Sequence, residues 1–284
     1  PALRPERSAH PADPVLSLRS AGSTERPPLA ILGAGDYVRM EIAPALAGAA
    51  LHRDVLCDRE PQIAARAAAE LGFARATTDA LAAIDLLDRR GVVIIATTHD
   101  SHAALAAHAL DAGHRVLLEK PAVVDRADLE LLTSAAERHP GELEVGFNRR
   151  HNPLVRRARE LVRAEREPAT IVATIREVDI EDDHWYLWPN QGTRVAGNLC
   201  HWIEVVLDLL GPGAVPARVA VAPRTSADPT GIDAERAYSI AFEDGSSATL
   251  VPTGRGDSTR GVQEQIEIRR GPLTVLLDDL WRLR

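Results

Sequence analysis

From Pro28 onward the chain alternates short apolar runs with stretches whose apolar residues recur at helical spacing, and no feature constrains its fold more tightly. The run LAILGAG is followed by a helical pattern over 39–49, then by DVLCD and a second helical pattern over 61–71. A third unit repeats the order with GVVIIATT, a helix over 101–112 and the strand RVLLEKP. Strands joined by helices of this length run parallel, and a parallel sheet needs both faces covered. The first part of the chain is therefore expected to be a doubly wound α/β domain.

The texture changes after Asn152. A helix over 153–163 leads into the strand-like TIVATIREV, a polar and aromatic loop, DDHWYLWPNQGTRVAG, and an amphipathic helix, CHWIEVVLDLLG. The runs ARVAVAP, AYSIAFEDGSSATLVPT, VQEQIEIRR and PLTVLLDD follow, with Glu-Asp-Gly and Arg-Gly-Pro as turns. This half predicts an α+β domain on a predominantly antiparallel sheet. Residues 1–27 are rich in Pro, Ser and Arg without a sustained period, which predicts a linker or tail. The expected organisation is a tail over 1–27, a first domain over 28–150 and a second over 151–284. The start at Pro1 rather than Met is what a processed form or a piece of something longer would show.

Composition narrows the partners. No stretch approaches the roughly 20 consecutive apolar residues of a membrane span, and the first residues lack the pattern of a signal peptide. A cytoplasmic location is the expectation. Cys57 and Cys200 show no pairing pattern, so neither a disulfide nor a metal site is expected. A formal charge of −8 with scattered arginines argues against a nucleic-acid partner and for a small molecule. Of 33 basic residues only Lys120 is lysine. An ammonium can lose its proton where its surroundings favour that, whereas a guanidinium stays charged, so a lone lysine among arginines marks a position where proton chemistry is possible.

Four motifs carry chemistry. Gly33-Ala34-Gly35-Asp36-Tyr37-Val38 follows the strand LAIL and opens a helix, the context of a dinucleotide-binding turn in a Rossmann-type domain. Its glycines admit a pyrophosphate to backbone N–H groups at a helix N-terminus, and Val38 stands where a third glycine is common. Asp58, 25 positions after Gly33, ends the next strand where an acid hydrogen-bonds a ribose, which favours NAD. Arg59 beside it keeps NADP open. Thr97, Thr98, His99, Ser101 and His102 form a polar turn after VVIIA, and His102 is open to a capping or packing role instead. His108 and His114 read as surface or helix-end residues. Glu119-Lys120-Pro121 closes the following strand, which brings the lone lysine to the sheet edge where ligands of such folds bind.

The order GAGDYVR, VLCDRE, ATTHDSH, LLEKP, VGFNRRHNP and GNLCHWIEVVLDLLG resembles the glucose-fructose oxidoreductase and inositol dehydrogenase (Gfo/Idh/MocA) family over nearly the whole chain from Pro28. The resemblance implies hydride transfer between a nicotinamide and a ring carbon of a sugar, cyclitol or related polyol or ketone. It implies Lys120 and His201 as the groups facing the reacting carbon, with Glu204, one turn on, orienting His201 or merely solvated. It places Gly33, Gly35, Asp36, Tyr37, Asp58, Arg59, Thr97, Thr98, His99, His102, Glu119 and Lys120 around the cofactor. Asn148, Arg149 and Arg150, with Asp183, His184 and Trp185, match segments that line the substrate. Where many members carry an acid shortly before the histidine, this chain has Gly197 and Asn198, which leaves Asn198 as a hydroxyl ligand. Relatives commonly continue past the segment DDLWRLR and form dimers through the second domain, so a homodimer or homotetramer is the expectation. Two other functions stay open: redox used transiently, as in NAD-dependent glycoside hydrolysis or epimerisation, and a non-catalytic cofactor-sensing protein.

Overall fold

A computed structural model describes residues 15–18, 25–177, 180–181, 183–222 and 236–284. The expected tail lies largely outside these residues, but within it Val15–Ser17 forms a short strand, β1. The chain divides into two compact units, one of 1–119 and 127–145, the other of 120–126 and 146–284.

The first unit is built on a seven-stranded sheet. Its strands are β1, β2 (Pro28–Leu32), β3 (His52–Cys57), β4 (Arg75–Thr77), β5 (Val92–Ile95), β6 (Arg115–Leu118) and β7 (Leu143–Val145). Their spatial order is β1-β4-β3-β2-β5-β6-β7, parallel throughout except for β1, which pairs antiparallel with β4. All five residues of β2 are buried, as a central strand covered on both faces requires. Helix α1 (Ala43–Ala45) continues a π-helical turn over Val38–Ile42. The helices α2 (Pro61–Leu71), α3 (Ala80–Asp85), α4 (His102–Asp111) and α5 (Arg126–Arg138) follow.

Local sequence sets these boundaries. Pro61 stands in the first turn of α2, and Gly72 ends it in the left-handed conformation at φ 77°. Asp79 caps α3, its carboxylate accepting from the N–H groups of Leu81 and Ala82 at 3.0 Å each. The strand order reverses at β2, whose neighbours are β3 on one side and β5 on the other. Chain leaving β2 and β5 therefore opens a crevice at their carboxyl ends, where ligands of such sheets bind.

The second unit carries the other seven-stranded sheet, in the order β14-β13-β12-β8-β11-β10-β9. These strands are β8 (Ala169–Arg176), β9 (Pro216–Val221), β10 (Tyr238–Phe242), β11 (Ser247–Thr253), β12 (Gln263–Arg270), β13 (Leu273–Asp278) and β14 (Arg282–Leu283). The sheet is antiparallel except at its centre, where β8 and β11 run parallel. Alternate residues of β8 are buried, and they share a core with α6 (Pro153–Ala164) and α7 (Cys200–Leu210). Asn152 caps α6 by accepting from the Leu154 N–H at 2.8 Å.

The segment 120–126 belongs to the second unit rather than to the sheet edge that ends at Leu118. There the Lys120 ammonium donates to the Gly197 carbonyl oxygen at 3.0 Å, and the Val124 side chain lies against Gly192. His114 is not a surface residue: it is buried, and its Nδ1 accepts from the Gly91 N–H at 3.1 Å. Burial holds its pKa below the ordinary histidine value.

Gly33 is required by two facts at once. Its φ is +93°, and a Cβ there would lie 2.7 Å from the Ala96 carbonyl carbon. Gly33→Ala is expected to lower stability by about 2 kcal/mol or more, read by urea unfolding, and a change within about 0.5 kcal/mol would contradict this packing.

Candidate functional site

In the first unit the turn after β2 is built for close approach. Gly33 and Ala34 are buried, and the Gly33 N–H donates to the Cys57 carbonyl at 2.8 Å. Gly35, Asp36 and Tyr37 are exposed, and nothing of the protein lies within 4 Å of the place a Gly35 Cβ would take. The Arg39 N–H returns to the Gly35 carbonyl at 3.2 Å, so the helix starts here with its positive end at the turn. Val38, in the position of the common third glycine, is 1% exposed and packs in the core with Ile42, Leu56 and Ile94. Its side chain thus does packing work that leaves the exposed backbone of the turn open.

Asp58 is wired to this turn. One carboxylate oxygen accepts from the Ala34 N–H at 2.9 Å and the other from the Glu60 N–H at 3.0 Å. Each oxygen keeps acceptor capacity, so the carboxylate can receive ribose hydroxyls while it braces the glycine turn. Arg59 is exposed beside it. An anionic pyrophosphate and a ribose fit this arrangement of open backbone, helix N-terminus and carboxylate.

The turn after β5 is internally connected. Thr97 and Ser101 share a hydroxyl hydrogen bond of 2.7 Å, and the Ser101 hydroxyl donates to the Thr98 carbonyl at 2.8 Å. His102 is fully buried with Nε2 at 3.1 Å from the Thr97 carbonyl oxygen, and the buried His99 ring meets it edge-on at 5.8 Å. These two rings shape the turn from beneath, and Thr97 and Thr98 stand half-buried above them. Glu119 follows β6, its N–H bonded to the Ile95 carbonyl at 2.8 Å.

The second unit gathers a different cluster around the start of α7. Residues Val195–Leu199 form a π-helical turn that runs into α7. On it lies Gly197, which receives Lys120, and four residues later stands His201. His201 is 6% exposed, and its Nδ1 has no hydrogen-bond partner among the described residues. Its ring meets Phe147 edge-on at 6.2 Å. Burial, reinforced by the charges of Arg149 and Lys120, pushes its pKa down to about 2. The imidazole is therefore neutral, with one polar atom that no described residue satisfies. Cys200, next to it, is pushed up to about 11 by burial and stays a thiol.

Arg149 and Arg150 are already engaged. Arg149 stacks its guanidinium 4.4 Å from the centre of the Trp202 ring and donates from Nε to Glu264 at 2.9 Å. Glu264 also accepts from the Trp202 indole N–H. Arg150 pairs with Glu204, whose carboxyl burial pushes above the usual carboxylate range. Glu204 thus answers to Arg150. Asn148 and Asp183 are exposed, Asn198 is half-buried, and His184 caps the short turn Trp185–Leu187 by accepting from the Tyr186 N–H at 3.2 Å.

Two residues of this cluster escaped the sequence reading. Glu264 occupies an inward position of β12, in register with the buried Ile266 and Ile268, and an acid on the inward face of an alternating strand was the available signal. Tyr186 lies between Trp185 and α7. Its ring centre is 5.8 Å from the Lys120 ammonium, and nothing in the loop distinguishes it by spacing. Among the described residues, no group of three or more His, Cys, Asp or Glu is placed to hold a metal, and no helix is long and apolar enough to cross a membrane.

Two measurements check this geometry. Glu264→Gln leaves Arg149 and Trp202 short of their common partner and is expected to cost about 3 kcal/mol in urea unfolding. His201 is neutral in the folded chain down to about pH 2 but protonates below about 6.5 once unfolded. Its contribution to stability is complete above 6.5 and is lost as pH falls below it. The dependence of stability on pH between 6 and 4 should be shallower in His201→Asn than in the parent, and equal slopes would contradict a buried neutral ring.

The comparisons with known proteins follow the same division. Residues 28–147 match the model of the oxidoreductase family with an NAD-binding Rossmann fold, GFO_IDH_MocA. Levoglucosan dehydrogenase from Pseudarthrobacter phenanthrenivorans is 33% identical over 110 residues, 39% of this chain and 28% of that protein. Oxidoreductase cns1 from Cordyceps militaris is 29% identical over 199 residues, 69% of this chain and 22% of that one. The matched stretches are thus less than a third of these relatives' own lengths. The crystal structure of GenD2 from gentamicin A biosynthesis, in complex with NAD, superposes with a TM-score of 0.75 at 25% identity, over 93% of this chain and 75% of that one. Residues 28–147 are thus similar to the NAD-binding Rossmann domain of the GFO_IDH_MocA oxidoreductases.

Proposed function

We propose that this protein is a dehydrogenase that exchanges hydride between NAD and a secondary alcohol on the ring of a sugar or cyclitol. The observation that carries the reading is the cluster at the start of α7, a lone lysine fixed to the Gly197 carbonyl near a buried, neutral histidine with an unsatisfied nitrogen. When bound, the nicotinamide supplies the hydride acceptor. The glycine turn and Asp58 would hold the cofactor through its pyrophosphate and ribose, and the Asp58 carboxylate disfavours the extra phosphate of NADP.

The chain's own residues handle the hydroxyl. A neutral imidazole accepts a hydrogen bond from the alcohol and fixes its orientation. The ammonium of Lys120 stabilises negative charge as it develops on the oxygen, and in its neutral amine form, which a guanidinium does not reach near neutral pH, Lys120 can instead take up the proton that the alcohol releases as hydride leaves its carbon. Neighbouring polar groups suited to further hydroxyls are Asn148, Asn198 and His184. The names of levoglucosan dehydrogenase and of the inositol dehydrogenases among the structural neighbours support a polyol ring as substrate class.

Two broader expectations belong to this reading. A cytoplasmic protein keeps both Cys57 and Cys200 as thiols. A homodimer or homotetramer would cover the outer face of the second sheet, where Val172 on the central strand β8 is 44% exposed.

The test is net reduction of added NAD by a panel of sugars and cyclitols, followed at the nicotinamide absorbance. Lys120→Ala and His201→Ala should each lower turnover by about 100-fold or more with NAD affinity within about threefold. Asp58→Ala should weaken NAD binding by about 10-fold. Failure of the unsubstituted protein to bind NAD, or full turnover in either of the first two variants, would overturn the proposal.

A further inference from the structure

Gly197 is a glycine for a reason that lies in another segment. A Cβ at this position would come within 2.6 Å of Tyr186 Cζ and closer still to its hydroxyl, so the phenol end rests directly on the backbone of the π-helical turn. The carbonyl of the same residue accepts from the Lys120 ammonium at 3.0 Å. That ammonium also sits 5.8 Å from the centre of the Tyr186 ring, inside the range over which a ring attracts a cation. Lys120 thus meets a carbonyl dipole and an aromatic ring, and the place of that ring depends on the absence of a side chain at 197.

The phenol itself stays neutral. Burial pushes its pKa above the ordinary tyrosine value, with Cys200 and Glu177 adding to the effect and Arg194 opposing it. Arg194 and Glu177 are paired at 2.8 Å, with Glu177 2% exposed on its side chain. The short turn Trp185–Leu187, capped by His184, carries Tyr186 into this place.

We infer that Tyr186 is a positioning residue for Lys120, its ring setting where the ammonium stands through the space that Gly197 leaves open. The inference rests on the reading of Lys120 as a reacting group, but its first test does not need turnover. Lys120 is the only lysine in the chain, so protein labelled with 13C-lysine gives a single lysine side-chain signal. In the native protein the εCH2 protons should be displaced from the free-lysine position by the ring current of Tyr186. The displacement should be retained in Tyr186→Phe and lost in Tyr186→Leu. Should the leucine variant fail to fold, Gly197→Ala pushes the ring aside and should move the same signal.

Turnover supplies the second readout. Tyr186→Leu should lower kcat by at least about 10-fold with the affinity for NAD within about twofold, and Tyr186→Phe should restore most of the loss. A native lysine signal at the free-lysine position, or one that is the same with leucine at 186, overturns the inference. Absence of turnover in the unsubstituted protein would instead overturn the dehydrogenase reading, and the lysine spectrum would still decide whether Tyr186 places Lys120.

Discussion

The hydrogen bond from the Lys120 ammonium to the Gly197 carbonyl organises the second unit's chemistry. It ties the segment 120–126 to the turn before α7, although that segment follows directly on a strand of the first unit. A carbonyl in a regular α-helix is committed to the N–H four residues on. The Gly197 carbonyl lies in the π-helical turn over Val195–Leu199, and its second lone pair can receive Lys120 there. The cation then stands near His201, and together with Arg149 and burial it keeps that ring neutral.

Behind this cluster is a buried frame of ordinary structural charge pairs. Glu264 receives both Arg149 and Trp202, Arg150 covers Glu204, and Arg159 holds Asp208 at 2.9 Å. Each pair lies against α7, so three inward carboxylates fix the helix that carries His201. Such pairs add little net stability when desolvation is counted, but removing one partner is costly, which makes them effective at fixing geometry. In the first unit the equivalent role falls to backbone contacts, with Gly33 against Ala96 and Asp58 against the Ala34 N–H.

Much of this was legible in the sequence because it is local. The helix expected over 61–71 is α2, and the strands around LAIL, DVLCD and VVII stand where apolar runs put them. The glycine turn and the acid after the next strand share one neighbourhood, as their spacing implied. What escaped depends on contacts between distant residues. β4 is three residues long and α3 six, too short for periodicity to declare them. The parallel pairing of β8 with β11 inside an otherwise antiparallel sheet has no local signature. His114 looks like a helix-end residue in one dimension, yet it is buried with its ring against the Gly91 N–H, more than twenty residues earlier. The pairing of Arg149 with Glu264 has no local signature, since the two are over a hundred residues apart in sequence.

The lone lysine is the point at which sequence and structure meet. Among arginines its retention suggested proton chemistry, and its ammonium donates to a backbone carbonyl beside an aromatic ring. The account turns on the claim that this position needs an ammonium and not merely a positive charge. The direct measurement is kcat for NAD reduction in Lys120→Arg, with NAD affinity measured alongside. A loss of about 100-fold or more at near-native affinity is the predicted result, and turnover close to that of the parent with arginine at 120 would contradict it.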